Sequence, residues 1–420
     1  MLLAFRAENV RSFRDAFELS LLATSLAEPG VPRSVPWRAG GRPVHVLPAA
    51  GVFGANASGK TNVLRALDDM RALVLHSFRQ GDLRGGLPRN GFRLGPSPAG
   101  EPSRFEVDLV LAGIRHEYGF VISDERILAE WAYRYPHGKA ALLFRREADA
   151  VTLGEQNRVK GRAVTEILRP NSLYLSAAAA AGHPDLLPLQ QWFGRNLVLA
   201  EASSRAQRWA LTTELMRQED RREQVLALLR AADLGITDAR VSGDEPDGQE
   251  PDPAAAESVV VLSHRGASGD VDFEPAEESL GTMVWLGLAG PVIDALANGD
   301  VLLVDEIEAS LHPALVVQLV RLFQNPEANP RGAQLIFNSH EAVLLGDSRG
   351  DRVLGRDQVW FTEKAFDGAT RLYPLADLSP GGDEAIGRRY LAGRYGATPI
   401  IAAEEFTEVG LAAADEHSEP

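Results

Sequence analysis

Gly54-Ala55-Asn56-Ala57-Ser58-Gly59-Lys60-Thr61 is the stretch on which the fold turns. It stands between an apolar run, Val44 to Phe53, and a segment from Val63 to Leu75 whose apolar residues recur at helical spacing. Strand, glycine loop and helix in that order make a phosphate cradle. The glycines let backbone N–H groups curl round phosphate oxygens, and the helix contributes its positive N-terminal end. Lys60 is placed to reach β and γ phosphates, and Thr61 to offer its hydroxyl to Mg²⁺. The bland alternative is a glycine-rich turn matched by chance, and the strand–helix context weighs against it.

Outward from that loop the chain divides by pattern. Before it, Leu3, Phe5, Val10 and Phe13 read as a hairpin entering a sheet, followed by a Pro/Gly/Arg-rich loop from about Glu28 to Arg42. After it, short β-rich runs from Arg104 to Val151 predict an antiparallel sheet laid on the loop-bearing core. Ser204 to Ala232 is helical, with apolar Leu211, Leu215, Val225, Leu228 and Leu229 among many charges. No heptad pattern persists, so no long coiled coil is expected. Gly243 to Glu257 is acidic and Pro-rich, the composition of a disordered loop. Beyond it, a strand at Val259–Ser263, a helix at Gly281–Leu296, a strand at Val301–Val304, a helix at Pro313–Phe323 and a strand at Gln334–Asn338 alternate as in a parallel sheet. The expected division is 1–200, 201–257, 258–401 and an acidic tail, 402–420.

Several later motifs carry chemistry. Val301-Leu-Leu-Val-Asp305-Glu306 is an apolar strand ending in two acids, which sets Asp305 to hold Mg²⁺ and Glu306 to orient or deprotonate water. Upstream, Glu278-Ser279-Leu280-Gly281-Thr282 opens a helix, and Ser279 with Gly281 would form a second phosphate-binding surface. Because Gly54–Thr61 already covers one side of its own phosphates, that second surface is useful only against another molecule's nucleotide. An N-cap serine with a packing glycine is the plainer reading of this motif taken alone. Ser310-Leu311-His312-Pro313 and Asn338-Ser339-His340 follow. A histidine at a strand end can hydrogen-bond a γ-phosphate, which suits His340, whereas His312 sits where the chain merely has to turn.

Composition narrows the function classes. The net charge of −15 makes the surface as a whole repel nucleic acid, so any such contact needs a local basic strip. Arg145-Arg146, Arg158-Lys160-Arg162 and Arg388-Arg389 are candidates, with solvated surface arginines the plainer reading. The absence of cysteine excludes disulfides and cysteine zinc sites. No leader pattern opens the sequence, and the apolar run Thr282–Val304 is broken by Gly290, Pro291, Asp294 and Asp300. It reads as buried core, and a cytoplasmic protein without membrane contact is expected.

The order of these motifs resembles the ABC-class ATPases of the RecF, SMC and OLD group. Asn9-Val10-Arg11-Ser12-Phe13, Asp357-Gln358-Val359-Trp360-Phe361 and Tyr390-Leu-Ala-Gly393-Arg394-Tyr395-Gly396-Ala397-Thr398-Pro399 extend the likeness over residues 1–401 to the bacterial AAA-type ATPases of abortive infection and phage defence, the RloA-like branch. The resemblance implies an α/β P-loop ABC-ATPase head with a mixed, largely parallel sheet, an added antiparallel β-subdomain, a short helical insertion and no long coiled coil. It implies ATP and Mg²⁺ held by Gly54, Asn56, Ser58, Gly59, Lys60, Thr61 and Asn62 with Asp305, Ser279 and Gly281 acting on a partner copy's γ-phosphate, Glu306 as catalytic base and His340 as switch. The group's glutamine loop has no evident counterpart, Gln190 and Gln191 being equally suited to cap a helix.

The implied function is a slow ATPase that dimerises around ATP and controls a separate effector, such as a Toprim-type nuclease, in antiphage defence. Two rivals stand beside it. An OLD-like nuclease subunit would need a further domain, yet only 80 residues follow His340, and an independent domain takes on the order of 100. A RecF-like DNA-repair ATPase would need the basic strip.

Overall fold

The computed structural model describes residues 1–79, 86–95, 100–232, 235–242, 260–346, 352–382, 384–399, 402, 405 and 407. The acidic stretch Gly243–Glu257 and nearly all of the acidic tail lie outside them. The chain opens with a hairpin, β1 (Leu2–Glu8) and β2 (Phe17–Ser20), then a small ribbon of β3 (Arg33–Val35), where the sequence suggests only loop, and β4 (Val44–Val46), the start of the apolar run. The apolar run Val44–Phe53 is split at Pro48, which has no N–H to give a ladder. β5 (Ala49–Gly54) leads into α1 (Lys60–His76), then β6 (Ser103–Leu111), β7 (Ile114–Ile122), β8 (Ile127–Arg134), β9 (Ala141–Glu147) and β10 (Ala150–Leu153). Next come α2 (Arg158–Ile167), α3 (Tyr174–Ala180), α4 (Leu187–Arg195) and β11 (Leu197–Ala200). The helical segment is a pair, α5 (Arg205–Met216) and α6 (Glu219–Ala231), followed by β12 (Ile236–Val241), β13 (Val260–Gly266) and β14 (Gly269–Phe273). The remainder runs α7 (Leu280–Asn298), β15 (Val301–Val304), α8 (Pro313–Gln324), β16 (Gln334–Ser339), β17 (Val359–Lys364), β18 (Thr370–Pro374) and α9 (Ile386–Leu391).

Two sheets dominate. One has seven antiparallel strands in the order β10-β9-β8-β7-β6-β1-β2. The other, β11-β15-β16-β5-β17-β18, is parallel except for its edge strand β18. A parallel sheet is covered on both faces, so its strands are apolar throughout and alternate between two cores. Ala50, Val52, Val301, Leu303 and Ile336 join a core with α1, α3, α4 and the antiparallel sheet. Ala49, Phe53, Leu302, Val304, Leu335 and Phe337 join a second core with α6, α7, α8 and α9. The fold is thus an α/β head carrying an antiparallel subdomain, with no long coiled coil among the described residues.

α7 is apolar on nearly every face and, by length and composition, long enough to cross a bilayer, yet it is mostly buried and packs into the second core. It survives Pro291 because of a neighbour. The Thr212 hydroxyl, from α5, accepts from Gly290 N at 3.2 Å and donates to the Leu286 carbonyl at 3.1 Å, filling the break in the helical ladder.

The basic-strip expectation is corrected at one position. Arg146 is 1% exposed and donates to the carbonyl oxygens of Ala148 (2.7 Å), Ser172 (2.6 Å) and Arg169 (3.2 Å), so it pins a turn from inside. Beneath it lies Glu130, which accepts from Tyr118 Oη at 3.0 Å and from the backbone N–H groups of Tyr174 and Leu175 at the start of α3. Burial pushes its carboxyl up to about 7. Arg389 is likewise engaged, paired with Glu384 at 2.7 Å.

Candidate functional site

β5 stops at Gly54 because the next residues must turn back on themselves. Ala57 and Gly59 take left-handed φ of 60° and 104°, and a Cβ at Gly59 would lie 2.4 Å from Thr370 Oγ1 and 2.8 Å from Ser12 Oγ. Only glycine fits there. α1 begins at Lys60 without a side-chain cap or an acid in its first turn, so its leading N–H groups remain available to an anion. Lys60 is buried, and its ammonium donates to the carbonyls of Gly54 and Ala55, both at 3.0 Å. Burial lowers its pKa, against the opposing charges of Glu308, Glu306 and Asp305.

The acids stand opposite. β16 lies beside the loop strand β5 and β15 beside β16, all three parallel, so their C-terminal ends converge on the same edge. Thr61 Oγ1 donates to Asp305 Oδ1 at 2.8 Å, and Asn338 Nδ2 reaches the same oxygen at 2.5 Å. The Asn338 carbonyl oxygen accepts from the backbone N–H of Glu306. One buried amide therefore holds both acids. Glu306 leaves the strand with a φ of 51°, a left-handed turn that brings its exposed side chain out at the sheet edge. His340, one residue past β16, donates its backbone N–H to Glu308 Oε1 at 2.7 Å. Burial, with the charge of Lys60 adding to it, lowers the imidazole pKa, so the ring is neutral near pH 7 and keeps one N–H to donate.

Sequence reasoning missed two members of this corner. Asn338 lies inside the motif Asn338-Ser339-His340, in which sequence reasoning gives a role only to the histidine. Glu201 follows β11, whose Ala200 carbonyl accepts from Asp305 N at 3.0 Å; its carboxylate takes Arg65 of α1 at 3.0 Å. Gln190 and Gln191 lie within α4, before β11.

The remaining predicted residues divide between bracing and a separate surface. Ser58 Oγ is 2.6 Å from Thr362 Oγ1, and Asn62 Nδ2 donates to Ser12 Oγ at 2.9 Å, so both face the support behind the loop. Asn56 lies exposed at the loop tip. Ser279 caps α7, accepting from Thr282 N at 3.1 Å, and Gly281 packs so tightly on Ser310 that a Cβ would meet its carbonyl at 2.8 Å. These two are not drawn to their own chain's phosphate loop; Ser279 and the 58% exposed Leu280 face outward. Glu278 is spent on His264 Nε2 at 2.6 Å, which ties the start of α7 to β13. His312 is a helix cap, its Nδ1 accepting from Ala314 N at 3.1 Å.

The donors fit a magnesium–nucleotide pair. A hydroxyl and a carboxylate oxygen 2.8 Å apart are hard oxygen ligands, and no cluster of three metal-ligating side chains occurs among the described residues. Mg²⁺ usually takes one or two protein oxygens and completes its shell with water and phosphate. Phosphate loop, acidic strand end and strand-end histidine on one edge of a parallel sheet define a P-loop nucleotide-binding domain.

The family described as "AAA domain, putative AbiEii toxin, Type IV TA system" matches residues 49–346, and the chain belongs to it. No curated protein matches it in sequence. Similar solved structures include the SMC head domain from Thermotoga maritima, at 12% identity, covering 89% of this chain and 98% of that one with a TM-score of 0.41. Another is an Smc head bound to the C-winged helix domain of ScpA, at 12% identity, 90% and 99% coverage and a TM-score of 0.44.

Proposed function

We propose that this protein is a slow, Mg²⁺-dependent ATPase of the cytoplasm that closes as a head-to-tail homodimer around two ATP molecules, and that opening and closing governs a separate effector in antiphage defence. The observation that carries the reading is the convergence of Lys60, Thr61, Asp305, Asn338, Glu306 and His340 on one sheet edge. Lys60 exchanges its two carbonyl partners for phosphate oxygens, and the N-terminus of α1 neutralises further charge. Thr61 and Asp305 would hold Mg²⁺, which supplies charge neutralisation on the phosphates. Glu306 orients and deprotonates the attacking water, and His340 donates to the γ-phosphate and registers its loss. The defence role rests on the family and the dimer on the outward Ser279.

Complementation tests the sandwich. Lys60→Ala and Ser279→Arg chains are each expected to be inactive, and co-expressed with two tags they form mixed dimers. One site then carries both defects and the other neither, so part of the ATPase activity returns. Verified mixed dimers as inactive as their parents would refute two-chain sites.

A further inference from the structure

The phosphate loop has a back as well as a front, and the back is hydrogen-bonded to two segments far from it in sequence. Ser12 lies in the tight turn between β1 and β2, and Thr370 is the first residue of β18, so the first belongs to the antiparallel sheet and the second to the parallel one. They meet behind Gly59. Thr370 N donates to the Ser12 carbonyl at 2.7 Å, their hydroxyl oxygens are 2.8 Å apart, and Thr370 Oγ1 donates to the Ser58 carbonyl at 2.9 Å. Asn62 Nδ2, one turn into α1, reaches Ser12 Oγ at 2.9 Å. The turn is itself fastened: Arg11 grips Asp69 of α1 with two bonds of 2.6 and 2.7 Å, and Arg14 pairs with Asp367 in the β17–β18 turn. Thr370 is 4% exposed and Ser58 2%, so these bonds are shielded from water.

We infer that Ser12 and Thr370 are positioning residues for ATP, a bracket that holds Ser58 and Gly59 in the left-handed turn whose N–H groups bind phosphate. Neither side chain need touch the nucleotide. Ser58 Oγ against Thr362 Oγ1 at 2.6 Å, and the Tyr390 hydroxyl against the backbone of Gly54, support the other end of the loop in the same way. This gives the Asn9–Phe13 segment and the C-terminal motif around Tyr390 a shared purpose. Because the bracket spans both sheets, displacing the antiparallel subdomain relative to the parallel sheet deforms the loop. Whatever binds that subdomain thereby gains a route to the ATP site.

The proposal rests on the ATP-binding reading, and the experiment separates the two. Affinity for a fluorescent ATP analogue, steady-state KM and kcat, and nucleotide-free Tm are measured for wild type, Lys60→Ala, Thr370→Val, Thr370→Ser and Ser12→Ala. Loss of one shielded hydrogen bond to the loop backbone corresponds to about tenfold. Thr370→Val, equal in shape but without the hydroxyl, should raise Kd and KM by about that factor and leave kcat within about threefold of wild type. Thr370→Ser should restore affinity. Wild-type affinity in Thr370→Val, or a Thr370→Ser variant as defective as Thr370→Val, overturns the bracket. If Thr370→Val does not fold, Ser12→Ala removes the bracket from its other side, and unchanged ATP affinity there overturns it equally. If wild type and Lys60→Ala both fail to bind, the nucleotide reading falls and takes the bracket with it.

Discussion

Asn338→Leu separates the machinery for hydrolysis from that for binding. The side chain is fully buried at the end of β16; its Nδ2 donates to Asp305 Oδ1 and, at 3.3 Å, towards Thr61 Oγ1, and its Oδ1 accepts from Glu306 N. Leucine keeps the volume and loses these bonds, the one to Thr61 being long and weak. A hydrogen bond to a carboxylate is worth about 1.5–3 kcal/mol and a neutral one about 0.5–1.5 kcal/mol, so the variant should lose about 2–4 kcal/mol of stability, read by urea unfolding without nucleotide. Hydrolysis should suffer more. Asp305 keeps Thr61 as a donor but loses the amide that fixes its rotation, and Glu306 is freed from its left-handed turn. A displacement of about 1 Å in a catalytic group costs on the order of 100-fold. Lys60 and the glycines of the loop make no bond to this side chain, so ATP affinity should change less than about threefold. Steady-state turnover within about threefold of wild type would refute the claim that this amide sets the two acids.

Two further outcomes follow from other residues. Glu306→Gln should bind ATP and not turn it over, so that Mg-ATP shifts the protein to a stable dimer in size-exclusion chromatography; normal hydrolysis would remove Glu306 from the role of base. For Glu130, folding raises the carboxyl from 4.5 to about 7, so the folded state holds the proton more tightly. Its stabilisation is full below about pH 4.5 and lost as pH rises through 7, a change of about 3 kcal/mol. Glu130→Gln should flatten the dependence by that amount, and superimposable wild-type and variant profiles would contradict it.

The phosphate loop, the acidic strand end and the helix start at Ser279 were legible because each is a local device, complete within about eight residues. The strand–helix alternation after residue 258 was legible for the same reason. What escaped depends on distant neighbours. β17 pairs in parallel with β5, about 300 residues away in sequence, and nothing in Val359–Lys364 announces which strand it will join. Arg146 looked like a surface charge because arginine usually is one; burying it takes four carbonyls, three of them brought from residues 169–172. Asn338 and Glu201 carry no spacing signal, since the first acts on the end of the neighbouring strand and the second on a helix residue 136 positions away in sequence. The short strand β3 was hidden by the prolines and glycines around it.

α7 has a mechanical consequence. Its first turn offers Ser279 to the outside, and its last residue is separated from β15 by only Gly299 and Asp300. Gly299 turns with a φ of 76° against the Arg331 carbonyl, and Asp300 is clamped by Asn196 at 2.5 Å, so the joint has no slack. Nineteen residues make a strut about 28 Å long, buried in material as dense and incompressible as a molecular crystal. In the proposed dimer, a push on Ser279 from the opposite ATP travels down this strut into the strand that carries Asp305 and Glu306. In such a dimer, nucleotide at one site would bear on the acids of the other through this strut, and Thr212, which bridges Gly290 N and the Leu286 carbonyl beside Pro291, marks the break in its ladder.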